Sequence, residues 1–294
     1  MFDILSGLKV GKAPGLDGIP PQLLRLCASG FAASLSTLFN RSFQEGVVPA
    51  EWREAVVVPV HKGGSKECPS NYRPIALLSI VSKVIEKIVL KRLDAFLSPL
   101  ISPKQSGFRR KDGTHFQLLR LVQEWSVKLD SSHLVGVVFF DFKKAFDKVS
   151  LPGLLHKLQA AGLCDRSFDW CRSFLLGRKQ HVRVGNQVSD LKDLKAGVPQ
   201  GAILSPLLFS LYINDIVECA EAADFNLFAD DTSAYVVAKS AATLQSQLQT
   251  VLDKMSVWLR TWSVSVNFKK TALLVLSTKR SIPAVNISLD FLCN

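Results

Sequence analysis

This 294-residue chain has no closely spaced cysteine pair, no leader-like start, no long apolar run and no surplus of acid. Its six cysteines, at 27, 68, 164, 171, 219 and 293, are scattered and form no Cys-x-x-Cys. Structural zinc sites use close ligand pairs, so no zinc site is expected. With 48% apolar residues the chain does not need a disulfide framework, and reduced thiols are expected. The first seven residues, MFDILSG, lack the basic end and apolar stretch of a signal peptide. The longest apolar run near the middle, Leu134–Phe140, suits a buried strand rather than a membrane span. The expectation is therefore an intracellular protein, nuclear or cytoplasmic, with no membrane partner. Thirty-six Lys and Arg outweigh twenty-five Asp and Glu, for a net charge of +11. Such a surplus favours an acidic partner, nucleic acid first, although a merely basic protein would also show it.

Punctuation and periodicity divide the chain. KAPGLDGIPP (12–21) reads as an ordered turn. A helix is expected over 23–43, a strand over 55–60 and a strongly amphipathic helix over 79–97. The loop PKQSGFRRKDG (103–113) is rich in Lys and Arg. Leu134–Phe140 should be a central strand ending at Asp141, followed by helices over 152–160 and 166–176. Residues 180–189 resemble a hairpin around Gly185-Asn186, and Gly197–Gly201 a loop entering a helix over 203–218. Strands at 225–229 and 232–237 should place Asp230-Asp231 at a hairpin tip. A helix from Leu244 to Trp262 and a strand over 271–277 follow. The class expected is α+β, with an antiparallel sheet covered by helices.

Three acids stand out. Asp141 ends an apolar strand, and Asp230 and Asp231 lie between two others. Strand ends hold side chains rigidly, as a metal site requires. Crowded carboxylates repel unless a cation sits among them, and Mg²⁺ prefers carboxylate and phosphate oxygens. Two such ions about 4 Å apart can activate an attacking hydroxyl and stabilise a leaving phosphate. An Asp-Asp pair in a turn more often only caps it. Taken alone, the acids do not separate a polymerase from a nuclease.

The ordered blocks go further. KAPGLDGI (12–19), NYRPIALLSIVSKVIEKIVLKRL (71–93), QSGFRR (105–110), DFKKAFDKV (141–149), GVPQGAILSPLLFSLYINDI (197–216) and FADD (228–231) together resemble the reverse transcriptase of non-LTR, jockey-like retrotransposons over about residues 10–278. The resemblance implies a right-hand polymerase fold with fingers and palm. It also implies an RNA-directed DNA polymerase that adds dNTPs to a DNA or RNA primer on an RNA template. Two Mg²⁺ ions, with Mn²⁺ as a substitute, would serve the reaction.

The resemblance also implies residue roles. Asp141 and Asp230 would be the metal ligands, Asp231 the accompanying acid, and Lys270 a proton donor to pyrophosphate, with Lys269 its ambiguous neighbour. Phe146 would be a steric gate against the ribose 2′-hydroxyl; a core Phe is the plainer alternative. Gln200 and Gly201, with Gly197, would line the nucleotide pocket. Arg73 would lie near the triphosphate, with Lys62 in support, although either could be an ordinary surface charge. Gln105, Gly107, Phe108, Arg109 and Phe228 would shape the template and primer surface. The expected divisions are an N-terminal extension with fingers at 1–133, mainly palm at 134–278, and the start of a primer-grip and thumb region at 279–294. Cys293 stands where that region would have Gly, and the thumb itself is expected to be absent, so the expectation is a fragment that binds duplex weakly and shows weak or no extension by itself. Two alternatives are an element-derived nucleic-acid-binding protein without polymerase activity and a group II intron-type maturase.

Overall fold

The computed structural model describes residues 1–109, 112–280 and 284–288. In chain order the elements are α1 (Phe2–Ser6), α2 (Pro21–Leu26), α3 (Ala28–Glu45), β1 (Glu54–His61), β2 (Tyr72–Leu77), α4 (Ile80–Leu97), α5 (Thr114–Asp130), β3 (Leu134–Phe140), α6 (Leu151–Ala160) and α7 (Asp165–Leu175). There follow β4 (Lys179–Val184), β5 (Gln187–Val188), β6 (Lys192–Asp193), α8 (Ser205–Tyr212), β7 (Asp224–Phe228), β8 (Asp231–Ala238), α9 (Ala241–Thr261) and β9 (Ala272–Leu276). Internal contacts divide the chain into two units, Met1–Ser98 with Leu151–Leu208, and Pro99–Ser150 with Phe209–Asn294. Among the described residues no helix is long and apolar enough to cross a membrane.

The first unit is built on a sheet of order β2-β1-β4-β5, with β6 also on β4. β1 pairs antiparallel with β2 but parallel with β4, so this sheet is mixed. Helix α4 starts at Ser79, whose hydroxyl accepts from the Ser82 N–H at 3.3 Å, satisfying a free helix-end donor. The same hydroxyl donates to Asp17 at 2.6 Å, which ties the 12–19 turn to the helix start. Gly15 fits because a Cβ there would lie 2.5 Å from the Ser79 nitrogen.

Glu86 lies on the buried stripe of α4 with Ser82, Ile85, Val89 and Leu93. One of its oxygens accepts from the Ile203 N–H at 2.6 Å and the Leu204 N–H at 3.3 Å. These amides precede α8, so a helix on one segment fixes the loop on another. Burial raises the Glu86 pKa, while the two amides and the Arg178 charge act in the opposite direction. Arg178 is itself buried, donates to the Phe174 carbonyl at 2.9 Å and lies over the Phe174 ring.

The second unit carries an antiparallel four-stranded sheet, order β7-β8-β3-β9. Leu121, Trp125 and Leu129 of α5 pack with Val135, Val137 and Tyr235. At Gly136 of β3, a Cβ would meet Leu248 Cδ1 at 2.8 Å and Leu244 Cδ1 at 3.2 Å, so glycine lets α9 approach the strand closely. The α9 stripe of Leu244, Leu248, Val251, Leu252, Met255 and Leu259 is buried.

Several elements depart from the sequence expectation. The helix expected over 23–43 is divided at Cys27 into α2 and α3. The helix expected over 203–218 ends at Tyr212 and continues as a 3₁₀ turn, Asn214–Glu218. The Asn214 side chain accepts from the Ser102 N–H at 2.7 Å and donates to the Leu100 carbonyl at 2.8 Å, which anchors the 3₁₀ turn to the 100–102 segment. β2, α5 and the parallel β1–β4 pairing are additions. Arg110 and Cys293 lie outside the described residues.

Replacing Glu86 with Leu removes the acceptor for the Ile203 and Leu204 amides and the negative charge that acts on buried Arg178. Urea unfolding should show a loss of about 1–3 kcal/mol, the scale for leaving a buried hydrogen-bonding group unsatisfied. The double change Glu86→Leu/Arg178→Met should recover part of that loss.

Candidate active site

The site grows from the pairing of β3 with β8. Their antiparallel register pairs Phe140 with Thr232, Phe139 with Ser233 and Val138 with Ala234. Continued by one step, it sets Asp141 opposite Asp231. β7 and β8 close at Phe228↔Asp231, leaving Ala229-Asp230 as a two-residue turn. Asp230 therefore stands at the tip, while Asp231 is the first residue of β8; the pair does not share the tip as expected. Partial burial raises the Asp231 pKa, and the negative charges of Asp230 and Asp141 raise it further. The three acids thus interact through space.

Asp141 is also held through its backbone. Its carbonyl accepts from the Asn267 N–H at 2.7 Å, and its N–H donates to the Thr271 hydroxyl at 3.4 Å. Lys143 N–H donates to the Ser265 carbonyl at 2.7 Å, extending the contact beyond the end of β3. Lys270 sits in the same turn, its N–H donating to the Asn267 carbonyl at 3.0 Å, with an exposed side chain. Asn267 and Thr271 do not stand out in the sequence, because polar residues in the turn before a strand carry no pattern of their own.

Beneath the tip lies the 104–107 segment. Leu227 N–H donates to the Lys104 carbonyl at 2.9 Å, and Ser106 N–H to the Leu227 carbonyl at 2.8 Å. Gln105 is 1% exposed, and Gly107 is buried too. A Cβ on Gly107 would lie 2.1 Å from the Ala229 nitrogen, a backbone collision. Phe108 is 56% exposed, at φ 62°. Arg109 is half-buried and donates to the Ile101 carbonyl at 2.6 Å. Phe228 is half-buried at the end of β7.

Phe146 is half-buried and stacks on Phe209, with centroids 4.4 Å apart and planes at 19°. Phe108 meets it edge-on at 6.3 Å. Phe209 was hidden in the sequence by the continuous apolar character of its helix. The second unit thus brings together Asp141, Asp230, Asp231, Gln105, Gly107, Phe108, Phe146, Phe228 and Lys270.

Lys62, Arg73, Gln200 and Gly201 belong to the first unit. Arg73 pairs with Val60 in the β1–β2 ladder and is exposed, as is Lys62 just beyond it. The Ala76 N–H donates to the Gln200 carbonyl at 2.8 Å. Gly201, at φ 131°, lies where a Cβ would come within 2.5 Å of the Ala76 oxygen. Glu86, which holds the following amides, had one sequence signal: an acid set on an apolar helical stripe.

The donor set suits a hard cation: carboxylate oxygens, mutually repelling, on rigid strand ends. Among the described residues, however, no three His, Cys, Asp or Glu side chains converge into a formed metal cluster. The acids are neighbours without being gathered.

Residues 60–287 match the family described as reverse transcriptase (RNA-dependent DNA polymerase). The RNA-directed DNA polymerase from mobile element jockey of Drosophila melanogaster is 30% identical over 97% of this chain and 32% of its own length. The probable RNA-directed DNA polymerase from transposon X-element of the same fly is 31% identical, over 92% of this chain and 31% of that protein. The chain spans about a third of the length of these relatives. These are non-LTR retrotransposon sequences, and the R1 element of Bradysia coprophila matches as well. Among solved structures, apo telomerase from Candida tropicalis, truncated from its C-terminal domain, superposes with TM-score 0.60 at 16% identity. The superposition covers 84% of this chain and 56% of that one, a likeness of fold.

Because the folded state raises the Asp231 pKa, that carboxyl favours folding when protonated and opposes it once ionised. Stability should fall as pH rises through the raised pKa. Without metal, Asp231→Asn should raise the unfolding free energy at neutral pH by less than about 1 kcal/mol, because the exposed group is screened, and the melting temperature with it. The gain should disappear near pH 3, where both states hold the proton. Calorimetry at the two pH values checks this.

Proposed function

From the premise that the chain belongs to the reverse transcriptase (RNA-dependent DNA polymerase) family, we propose that it is the polymerase portion of a non-LTR retrotransposon protein, adding dNTPs to a primer 3′ end on an RNA template. The observation that carries this reading is the register bringing Asp141 beside Asp231 and the Asp230 tip, with the charge coupling it produces. The palm, expected over 134–278, carries the three acids on the sheet of the second unit, and the fingers are expected within 1–133.

Asp141 and Asp230 would hold Mg²⁺, or Mn²⁺ in its place. When bound, the metal would supply Lewis-acid activation of the primer hydroxyl and neutralisation of the triphosphate. The remaining chemistry falls to the chain's own groups. Asp231 tunes the charge at the primer end. Lys270, on a turn tethered to Asp141, donates a proton to departing pyrophosphate. Phe146, kept in place by the Phe209 stack, presents its ring against a 2′-hydroxyl. Gln200, Gly201 and Arg73, with Lys62, contribute to nucleotide binding; a guanidinium suits phosphate oxygens in a fork. Phe108, Arg109 and Phe228 serve the template and primer side, and the net charge of +11 favours the nucleic-acid backbone.

Single-nucleotide addition to a primed RNA, with Mg²⁺ and enzyme in excess, tests the proposal. The parent chain should extend the primer, and EDTA should stop it. Asp141→Asn and Asp230→Asn should each lower the rate roughly 10³-fold, the equivalent of several kcal/mol of metal stabilisation. Duplex binding without extension by the parent, unchanged by Asp230→Asn, would instead identify a binding protein derived from such an element. Phe146→Val should raise ribonucleotide incorporation relative to dNTP about 10-fold or more.

A further inference from the structure

We infer that Gln105 is a positioning residue for the acidic hairpin: its side-chain oxygen clips the Ala229-Asp230 turn and so sets where Asp230 stands. This rests on the metal reading of the site proposed above. The turn needs such a clip. Ala229 has φ 56°, a left-handed conformation that costs a residue with a Cβ, so the hairpin does not hold it by preference alone. The Gln105 Oε1 accepts from the Ala229 N–H at 3.0 Å and from the Gly107 N–H at 2.7 Å. One buried oxygen therefore joins the strained residue to the segment beneath it. The register is fixed independently by the Lys104–Leu227 and Ser106–Leu227 backbone bonds. Gly107 completes the fit, since any Cβ there would strike the Ala229 backbone.

The Gln105 Nε2 is buried and has no hydrogen-bond partner among the described residues. Of this amide only the oxygen is used. A side chain serving solvent or a template would keep its donor accessible. A buried amide with one satisfied end is placed for that end. Asp230 follows Ala229 directly, so release of the Ala229 N–H frees the turn carrying the proposed metal ligand. Outer groups that orient ligands characteristically govern metal affinity without touching the ion.

Hydrogen exchange and Mn²⁺ binding, read by electron paramagnetic resonance on the full chain, test this without requiring turnover. Gln105→Met keeps the side-chain length and removes the acceptor. Ala229 and Gly107 amide exchange should accelerate roughly 10-fold, as loss of one neutral hydrogen bond implies. Mn²⁺ affinity should fall ~10-fold or more. Gln105→Glu retains acceptor oxygens, so it should restore the protection of the Ala229 and Gly107 amides. Gly107→Ala should weaken Mn²⁺ with Gln105 intact. Melting temperatures establish that each variant is folded.

Unchanged exchange in Gln105→Met overturns the clip. Faster exchange with unchanged Mn²⁺ affinity overturns the positioning role. If Gln105→Met does not fold, the parent decides: Ala229 and Gly107 amides exchanging at free-chain rates overturn the clip. A parent that protects both amides yet binds no Mn²⁺ overturns the metal reading, and the positioning role with it, while the clip itself stands.

Discussion

The antiparallel register between β3 and β8 is the constraint on which the acidic site depends. Two strands nearly a hundred residues apart in sequence meet so that their polar ends coincide. A slip of one residue would reverse every side chain of β3, driving Val135 and Val137 off the α5 face. The same slip would separate Asp141 from Asp231. Core packing and acid placement are therefore one requirement. The apolar run of β3 secures a feature whose local electrostatics oppose it, because the three carboxylates raise the cost of their own proximity.

A comparable arrangement holds the first unit. Glu86 is taken out of water and set against the amides that lead into α8, with the Arg178 charge also acting on it. The Gln200–Gly201 backbone is fastened at its other side by Ala76. A loop rich in glycine, with little cohesion of its own, thus acquires its shape from a helix and a strand that share no sequence with it. In each unit a buried side-chain oxygen accepting from two backbone amides does this work: Glu86 in one and Gln105 in the other.

Much of this was legible in the residues. The β3 run, the α9 stripe and the Gly185-Asn186 turn follow directly from period and turn chemistry. The position of α5 was less readable because its apolar residues surround the helix: Leu121 is buried while Phe116, Leu119 and Val122 are exposed. The parallel β1–β4 pairing was not readable at all, since local pattern does not encode which distant strand becomes a neighbour. At the site, residue types located the acids and Phe146. They did not distinguish Gln105 as a surface group from Gln105 as a buried clip, because that difference lies in one amide 124 residues away. The sequence pattern suggests Asp231 as a tip residue, but strand pairing extends one step further than the apolar residues do.

The two borders of the four-stranded sheet are unequal. Residues 104–106 bond to Leu227 of β7 and cover that border. Among the described residues no strand pairs with the far side of β9. Its outward peptide groups form an unfinished ladder, with Leu274 partly exposed alongside. Among the described residues, then, the edge at Leu227 of β7 is already paired while the outer edge of β9 carries the polar groups that an edge strand leaves open.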